Sequence, residues 1–139
     1  MTPAEMARIH AEAFVMLRPW TEAEFSDLCE SPLVFHVAPN PACFALGRVI
    51  AGEAELLTIA THPDTQRQGH ARICLEAFLN HCRGHHCESV FLEVEENNHA
   101  ALALYSKAGF QITGQRTGYY RLSSGARSDA VLMVKHLKG

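Results

Sequence analysis

The chain has 139 residues, of which 47% are apolar, and its 12 basic side chains stand against 15 acidic ones for a net charge of −3. That size suits one domain able to bury most of the surface its unfolded form exposes, and the acidic balance gives no ground for direct nucleic-acid binding or for a membrane surface. No apolar run approaches the roughly 18 residues of a membrane span, and the N-terminus has neither a basic leader nor a hydrophobic signal core, so a cytoplasmic protein is expected.

Thr2-Pro3-Ala4-Glu5 is a helix start, with a hydroxyl N-cap, proline at the first helical position and a glutamate placed to complete a capping box. Met6, Ile9, His10 and Ala13 recur at helical spacing, which predicts a first helix to about Phe14. Thr21-Glu22-Ala23-Glu24 is a second capping box and predicts a helix through Leu28, ended by Ser31-Pro32. Between the two lies Trp20, the only tryptophan. It reads as an anchor packing the helices together, with a direct substrate contact as the alternative.

Leu33 to Val37 and Cys43 to Ile50 read as strands joined through Ala38-Pro39-Asn40-Pro41, because neither proline can donate to a ladder. Ala51-Gly52-Glu53 turns the chain into a third apolar run, Leu56-Leu57-Thr58-Ile59-Ala60, and an antiparallel meander is the economical arrangement. Next come the turn Thr61-His62-Pro63-Asp64 and the segment Gln66-Arg67-Gln68-Gly69-His70-Ala71, which opens an amphipathic helix burying Ala71, Leu75, Phe78 and Cys82, with Cys74 and Leu79 widening the stripe. A strand feeding a glycine-bearing turn at a helix start leaves backbone N–H groups pointing outward with the positive end of the macrodipole behind them, which is an anion cradle. Arg67 adds a positive charge, and Gly69, lacking a Cβ, lets a phosphate approach the main chain. Taken alone, the same turn reads as an ordinary βα connection.

Val90-Phe91-Leu92-Glu93-Val94 is apolar enough for an interior strand, and strand, helix, strand in that order makes a right-handed parallel crossover. Such units bind ligands beyond the carboxyl ends of their strands, where both the glycine turn and Glu93 fall. Asn97-Asn98 can cap a following helix that Gly109 terminates. Phe110 to Thr117 and Ala130 to Val134 are expected as two last strands, paired across the connection from Tyr119-Tyr120 to Asp129. The fold class is α/β (α+β), a mixed, mainly antiparallel central sheet flanked by helices.

Five cysteines, Cys29, Cys43, Cys74, Cys82 and Cys87, without a Cys-x-x-Cys pair fit a reducing compartment with free thiols. The segment His81-Cys82-Arg83-Gly84-His85-His86-Cys87 is rich in zinc-ligand types. It falls at a helix end and in the next turn, where histidine suits the negative end of the dipole and Gly84 suits the C′ position, so no metal is expected.

The spacing Gln/Arg-x-x-Gly-x-Gly/Ala after a strand resembles the acetyl-coenzyme A pyrophosphate loop of the GCN5-related N-acetyltransferase (GNAT) superfamily. The resemblance continues in Leu92-Glu93-Val94, in Asn98-His99-Ala100-Ala101-Leu102-Ala103-Leu104-Tyr105 and in Ala108-Gly109-Phe110. It implies acetyl-coenzyme A as co-substrate, held between two splayed parallel strands, and no metal. The backbone amides from Arg67 through Gln68, Gly69, His70 and Ala71 to Arg72 would bind the pyrophosphate. Ile59, Ala60 and Thr61 would pair with the pantetheine arm and supply oxyanion donors, the alternative being a plain core strand. His70 occupies a variable position of the loop and reads as tolerated variation. The superfamily usually has a strand ahead of its first helix, and this chain has no room for one.

Acyl transfer from a thioester to an amine also needs a base and an acid. By alternation Glu93 shares a face with Phe91 and Glu95, away from Val90, Leu92 and Val94, and a carboxylate closing an apolar strand is expected to lose solvation and rise in pKa. Its alternative is a solvated strand-end glutamate; the resemblance assigns it as base. Tyr105 follows Asn98 by close to two helical turns, so both project from one helix face. The resemblance makes Tyr105 the acid for the departing thiolate and Asn98 a cofactor contact, against a packed aromatic and a simple helix cap. It also sets Trp20 on the acceptor side, while Tyr119 and Tyr120 can border a peptide channel. Within the superfamily the chain is most similar to the ribosomal-protein alanine N-acetyltransferases, which implies the N-terminal peptide of small-subunit ribosomal protein eighteen as acceptor. Acetylation of small-molecule amines or lysines, or a non-catalytic coenzyme A-binding module, are the alternatives.

Overall fold

A computed structural model describes residues 1–13, 18–62 and 69–137. Within them the elements are α1 (Pro3–Ala13), α2 (Glu22–Glu30), β1 (Val34–Asn40), β2 (Cys43–Ile50), β3 (Glu53–Thr61), α3 (His70–Gly84), β4 (Ser89–Glu95), α4 (His99–Lys107), β5 (Gln111–Arg121) and β6 (Arg127–His136). The strands form one sheet in the order β1-β2-β3-β4-β6-β5, antiparallel except where β3 meets β4. Among the described residues no strand precedes α1, and β1 forms the sheet edge on that side.

Strand β2 shows how the layers are built. Its side chains alternate between two cores, so the run Cys43 to Gly47 is buried without a break. Phe44 and Leu46 pack with Met6 and Ile9 of α1 and Phe25 of α2. Cys43 and Ala45 face the other way, onto Leu75, Phe78 and Leu79 of α3. Gly47 makes room for α3: a Cβ there would stand 2.3 Å from the Phe78 ring. Both expected capping boxes form, with Glu5 N donating to Thr2 Oγ1 at 3.2 Å and Glu24 N donating to Thr21 Oγ1 at 3.2 Å. The carboxylates of Glu5 and Glu24 accept the reciprocal bonds at 3.1 Å and 3.0 Å.

Several boundaries differ from expectation for physical reasons. Helix α2 runs to Glu30 rather than Leu28; the expected end of α1 at Phe14 lies outside the described residues. Strand β1 continues through Pro39 to Asn40, which the missing N–H allows because β1 is an edge, although its register shifts between Val37 and Asn40. Gly84 lies inside α3 and is not its C′ residue: His85 N closes the helix onto the His81 and Cys82 carbonyls at 3.2 Å, and the left-handed residue is His86. Strands β5 and β6 are longer than expected, which carries Tyr119 and Tyr120 out of the connection and into the ladder. No described helix is long and apolar enough to cross a membrane.

Candidate active site

Strands β3 and β4 pair in parallel from Glu53↔Ser89 to Leu56↔Leu92 and then part, although β3 runs on to Thr61 and β4 to Glu95. The cause lies one residue along: Leu46 pairs with Thr58 and Gly47 with Leu56, so Leu57 is an extra residue opposite β2. A bulge of this kind bends its strand and sharpens the local twist. On the far side β3 stays paired with β2 as far as Thr61, so the wedge has main chain along its β3 wall. His62 N donates to Ala42 O at 2.7 Å, which fixes the alternation: the polar groups of Ala60 and Thr58 face β2, and those of Ile59 and Thr61 face the wedge. The main chain of Ala60 is thus engaged with β2, and its methyl is buried in the α1/α2 core.

The helix that follows begins at the same end of the sheet. Gly69, the residue before α3, has φ +80, and open space surrounds the position a Cβ would take. The left-handed backbone is thus a further reason for glycine there. Among the described residues no side chain caps α3, and the first-turn N–H groups of His70, Ala71 and Arg72 lie at the positive end of the helix. His70 Nδ1 is 2.9 Å from Asn40 Nδ2, and Asn40 Oδ1 accepts from Ala42 N at 2.9 Å, so the β1–β2 hairpin braces the start of α3. Arg67 and Gln68 lie outside the described residues.

A cleft of about 150 Å³ occupies the wedge and is lined from both faces of the sheet. Ile59, Glu93, Asn98, Tyr105, Tyr120 and Trp20 from the sequence expectations all reach it. Gly69 to Arg72, Thr61 and Tyr119 do not line it. Sequence reasoning missed His10, Arg18 and Glu95, which do.

The candidate base stands on the uncovered face of β4. Phe91 is 40% exposed and the Glu93 side chain 23%, so the desolvation expected from the strand's apolar neighbours is partial. Arg116 of β5 brings Nη2 to 3.4 Å from Glu93 Oε1, and its guanidinium lies over the Tyr119 ring, 5.3 Å from the centroid. The Glu93 carboxylate, with burial next, raises the Tyr119 pKa. Burial first and Glu93 second push Tyr120 up to about 12. Glu95, at 5% exposure, accepts from both Asn97 N and Asn97 Nδ2 at 2.9 Å. Asn97 is thereby committed to Glu95, and Asn98 is the cap of α4, its Oδ1 accepting from Ala101 N at 3.2 Å. The cap leaves the Asn98 side-chain NH₂ as the group it can offer a ligand.

Across the wedge, Tyr105 of α4 is 6% exposed and meets Phe110 edge-on, 5.7 Å between centroids. Burial, with Tyr120 and Cys74 as lesser causes, raises its pKa, so the phenol keeps its proton throughout the neutral range. On the α1 side, His10 is 3% exposed and burial depresses its pKa to about 4. Its Nδ1 accepts from Trp20 N at 3.1 Å, and Trp20 packs on both His10 and Phe25, with centroids 5.3 and 5.4 Å apart. Trp20 is both an anchor between α1 and α2 and a wall of the cleft. Among the described residues no group of three or more His, Cys, Asp or Glu side chains could hold a metal. In the His81–Cys87 segment, His81 stacks on Phe35 at 3.9 Å and Cys82 is fully buried.

A model of the acetyltransferase (GNAT) family matches residues 4–110. The chain is 38% identical over 131 residues to the [ribosomal protein bS18]-alanine N-acetyltransferase of Escherichia coli, covering 92% of this chain and 88% of that one. It is 37% identical over 125 residues to the N-alpha-acetyltransferase RimI of Mycobacterium tuberculosis, covering 84% and 77%. The crystal structure of the ribosomal-protein-S18-alanine N-acetyltransferase from Escherichia coli superimposes with a TM-score of 0.88 at 30% identity, over 99% of this chain and 88% of that one. Arabidopsis thaliana NAA60 in complex with acetyl-CoA superimposes with a TM-score of 0.83 over 100% and 97%; at 16% identity it shares the fold.

Proposed function

We propose that this chain, which belongs to the acetyltransferase (GNAT) family, transfers the acetyl group of acetyl-coenzyme A to the N-terminal amine of a protein, the alanine of ribosomal protein bS18 being the acceptor its relatives are named for. The observation that carries this reading is the parting of β3 and β4 at Leu57, with Glu93 and Tyr105 lining the cleft so opened. The open, left-handed turn at Gly69 and the uncapped first turn of α3 suit a diphosphate, and the inward main chain of Ile59 and Thr61 suits the amide-bearing arm behind it.

The chemistry asks little of the protein beyond placement. An N-terminal amine has an ordinary pKa of about 7.7 to 8.0, so removing one proton makes it a nucleophile near neutrality. Glu93 accepts that proton, directly or through a water, and the neutral nitrogen attacks the thioester carbonyl. The negative charge that forms on the carbonyl oxygen is met by main-chain N–H groups on the β3 wall. As the carbon–sulfur bond breaks, the Tyr105 hydroxyl gives its proton to the departing sulfur, and the nitrogen gives up its second proton to become the amide, which restores the phenol; burial keeps that phenol protonated before the step. A ribosomal acceptor and free cysteines agree with a cytoplasmic enzyme.

The test is a mass-spectrometric assay with acetyl-coenzyme A and an alanine-initiated peptide. Wild-type protein adds one acetyl group at the N-terminus, and Glu93→Gln lowers turnover by about 10²- to 10⁴-fold with acetyl-coenzyme A binding kept. Undiminished turnover in the variant removes Glu93 as base. Turnover on spermidine or a lysine side chain with none on the peptide moves the acceptor elsewhere, and cofactor binding without transfer to any amine leaves a binding module.

A further inference from the structure

Tyr119 and Tyr120 are consecutive residues of β5, and consecutive strand residues point to opposite faces of a sheet. Both nevertheless come to the Glu93 side: Tyr120 lines the cleft with it, and the Tyr119 ring lies against the Arg116 guanidinium that pairs with its carboxylate. The ladder shows how: Arg116 pairs with Ala130 and Tyr120 with Ser128, so Thr117, Gly118 and Tyr119 together oppose the single residue Asp129. Register puts Arg116 and Tyr120 on the Glu93 face, since Ala130 and Leu132 are the partners of Glu95 and Glu93. Regular alternation would turn Tyr119 away.

What holds the irregular segment is Asp129. Its Oδ1 accepts from Gly118 N at 2.8 Å and its Oδ2 from Gln115 Nε2 at 2.6 Å. Arg127 Nη1 reaches Gly118 O at 3.4 Å, and Gly118 takes φ +62, a backbone that L side chains rarely adopt. The Asp129 main chain is tied to the end of β4: Asp129 N donates to Glu96 Oε2 at 2.7 Å and Glu96 N donates to Asp129 O at 3.0 Å. One residue therefore references the bulge in β5 to the strand that carries Glu93.

Resting on the function proposed above, we infer that Asp129 is a positioning residue for acceptor recognition, its carboxylate holding the three-against-one bulge that brings Tyr119 round to join Tyr120 on the Glu93 side of the cleft. Bonds to a carboxylate are stronger than those between neutral groups, which suits a template for strained backbone. The residue touches neither substrate nor reacting atoms. It acts on the peptide side and leaves the acetyl-coenzyme A side, built by β3 and α3, alone.

The test compares Asp129→Ala, Asp129→Asn and Gly118→Ala with wild type on an alanine-initiated peptide. In Asp129→Ala the peptide KM rises about tenfold or more while the KM for acetyl-coenzyme A stays within about twofold. Asp129→Asn, which keeps an oxygen for Gly118 N–H, recovers most of that loss, and Gly118→Ala reproduces it. In a Tyr119→Phe background Asp129→Ala costs less than it does alone, because both changes act through one tyrosine. Equal rises in both KM values, or additive losses, overturn the inference. If wild type itself ignores the peptide, the function proposed above fails separately, and a crystal structure of Asp129→Ala still decides: Tyr119 displaced from Glu93 supports the inference, and Tyr119 unmoved overturns it.

Discussion

The main-chain N–H of Trp20 donates to Nδ1 of His10 at 3.1 Å, and the two rings stack with a 23° interplanar angle. That bond needs the neutral imidazole with its proton on Nε2. An unfolded histidine titrates near 6.5, whereas burial holds this one at about 4, with Glu24 raising and Arg18 lowering it further. The unfolded chain therefore binds the extra proton first as pH falls. The stability tied to neutral His10 is complete above pH 6.5 and is lost between 6.5 and about 4, by at most roughly 3 kcal/mol. Urea melts across that window should show this loss in wild type and lack it in His10→Asn; parallel curves would remove His10 as the source.

Two glycines should respond to alanine in opposite ways. Gly47→Ala places a methyl 2.3 Å from a fully buried Phe78 that is itself stacked on Phe35, so it should cost about 1–3 kcal/mol in denaturant unfolding. Gly69→Ala meets nothing within 4 Å and carries only the strain of φ +80, roughly 1 kcal/mol. Its main effect should be a raised KM for acetyl-coenzyme A. Similar stability losses in the two variants, with cofactor KM unchanged, would contradict both assignments.

Tyr105→Phe keeps the ring against Phe110 and removes only the hydroxyl. Turnover should fall about a hundredfold, with little change in the KM of either substrate or in melting temperature. An unchanged kcat would leave Tyr105 as packing alone.

Asn98 has two ends, and substitution can separate them. Asn98→Asp keeps an oxygen for Ala101 N and loses the NH₂, whereas Asn98→Ala loses the cap as well and should cost about 1 kcal/mol more in stability. If the NH₂ meets the cofactor, both variants raise the acetyl-coenzyme A KM alike. A rise confined to Asn98→Ala would assign the side chain to the helix only.

The helix starts at Thr2 and Thr21 were legible because capping boxes are local, and the faces of α3 because a stripe of apolar residues needs no knowledge of its partner. The turn proposed for the pyrophosphate and the roles proposed for Glu93 and Tyr105 come from the resemblance and not from geometry. What escaped depends on pairing across the sheet. Nothing in Gly47 or Leu57 announces that one strand will carry an extra residue, and Arg116 meets Glu93 only through a register set by β6. Pro39 looked like a terminator because its place on an edge was not yet known. His10 was legible as a core position but not as the acceptor that holds Trp20.

The irregularity at Leu57 has a bearing on solubility. Unpaired strand rims usually invite neighbouring chains to add on, and β1 and β5 present such rims to any protein that drifts past. The rims that part inside the wedge border the cleft instead, where a slender, extended molecule fits along them. Exposed backbone that would promote aggregation at the periphery becomes, in the interior, a filter for thin guests.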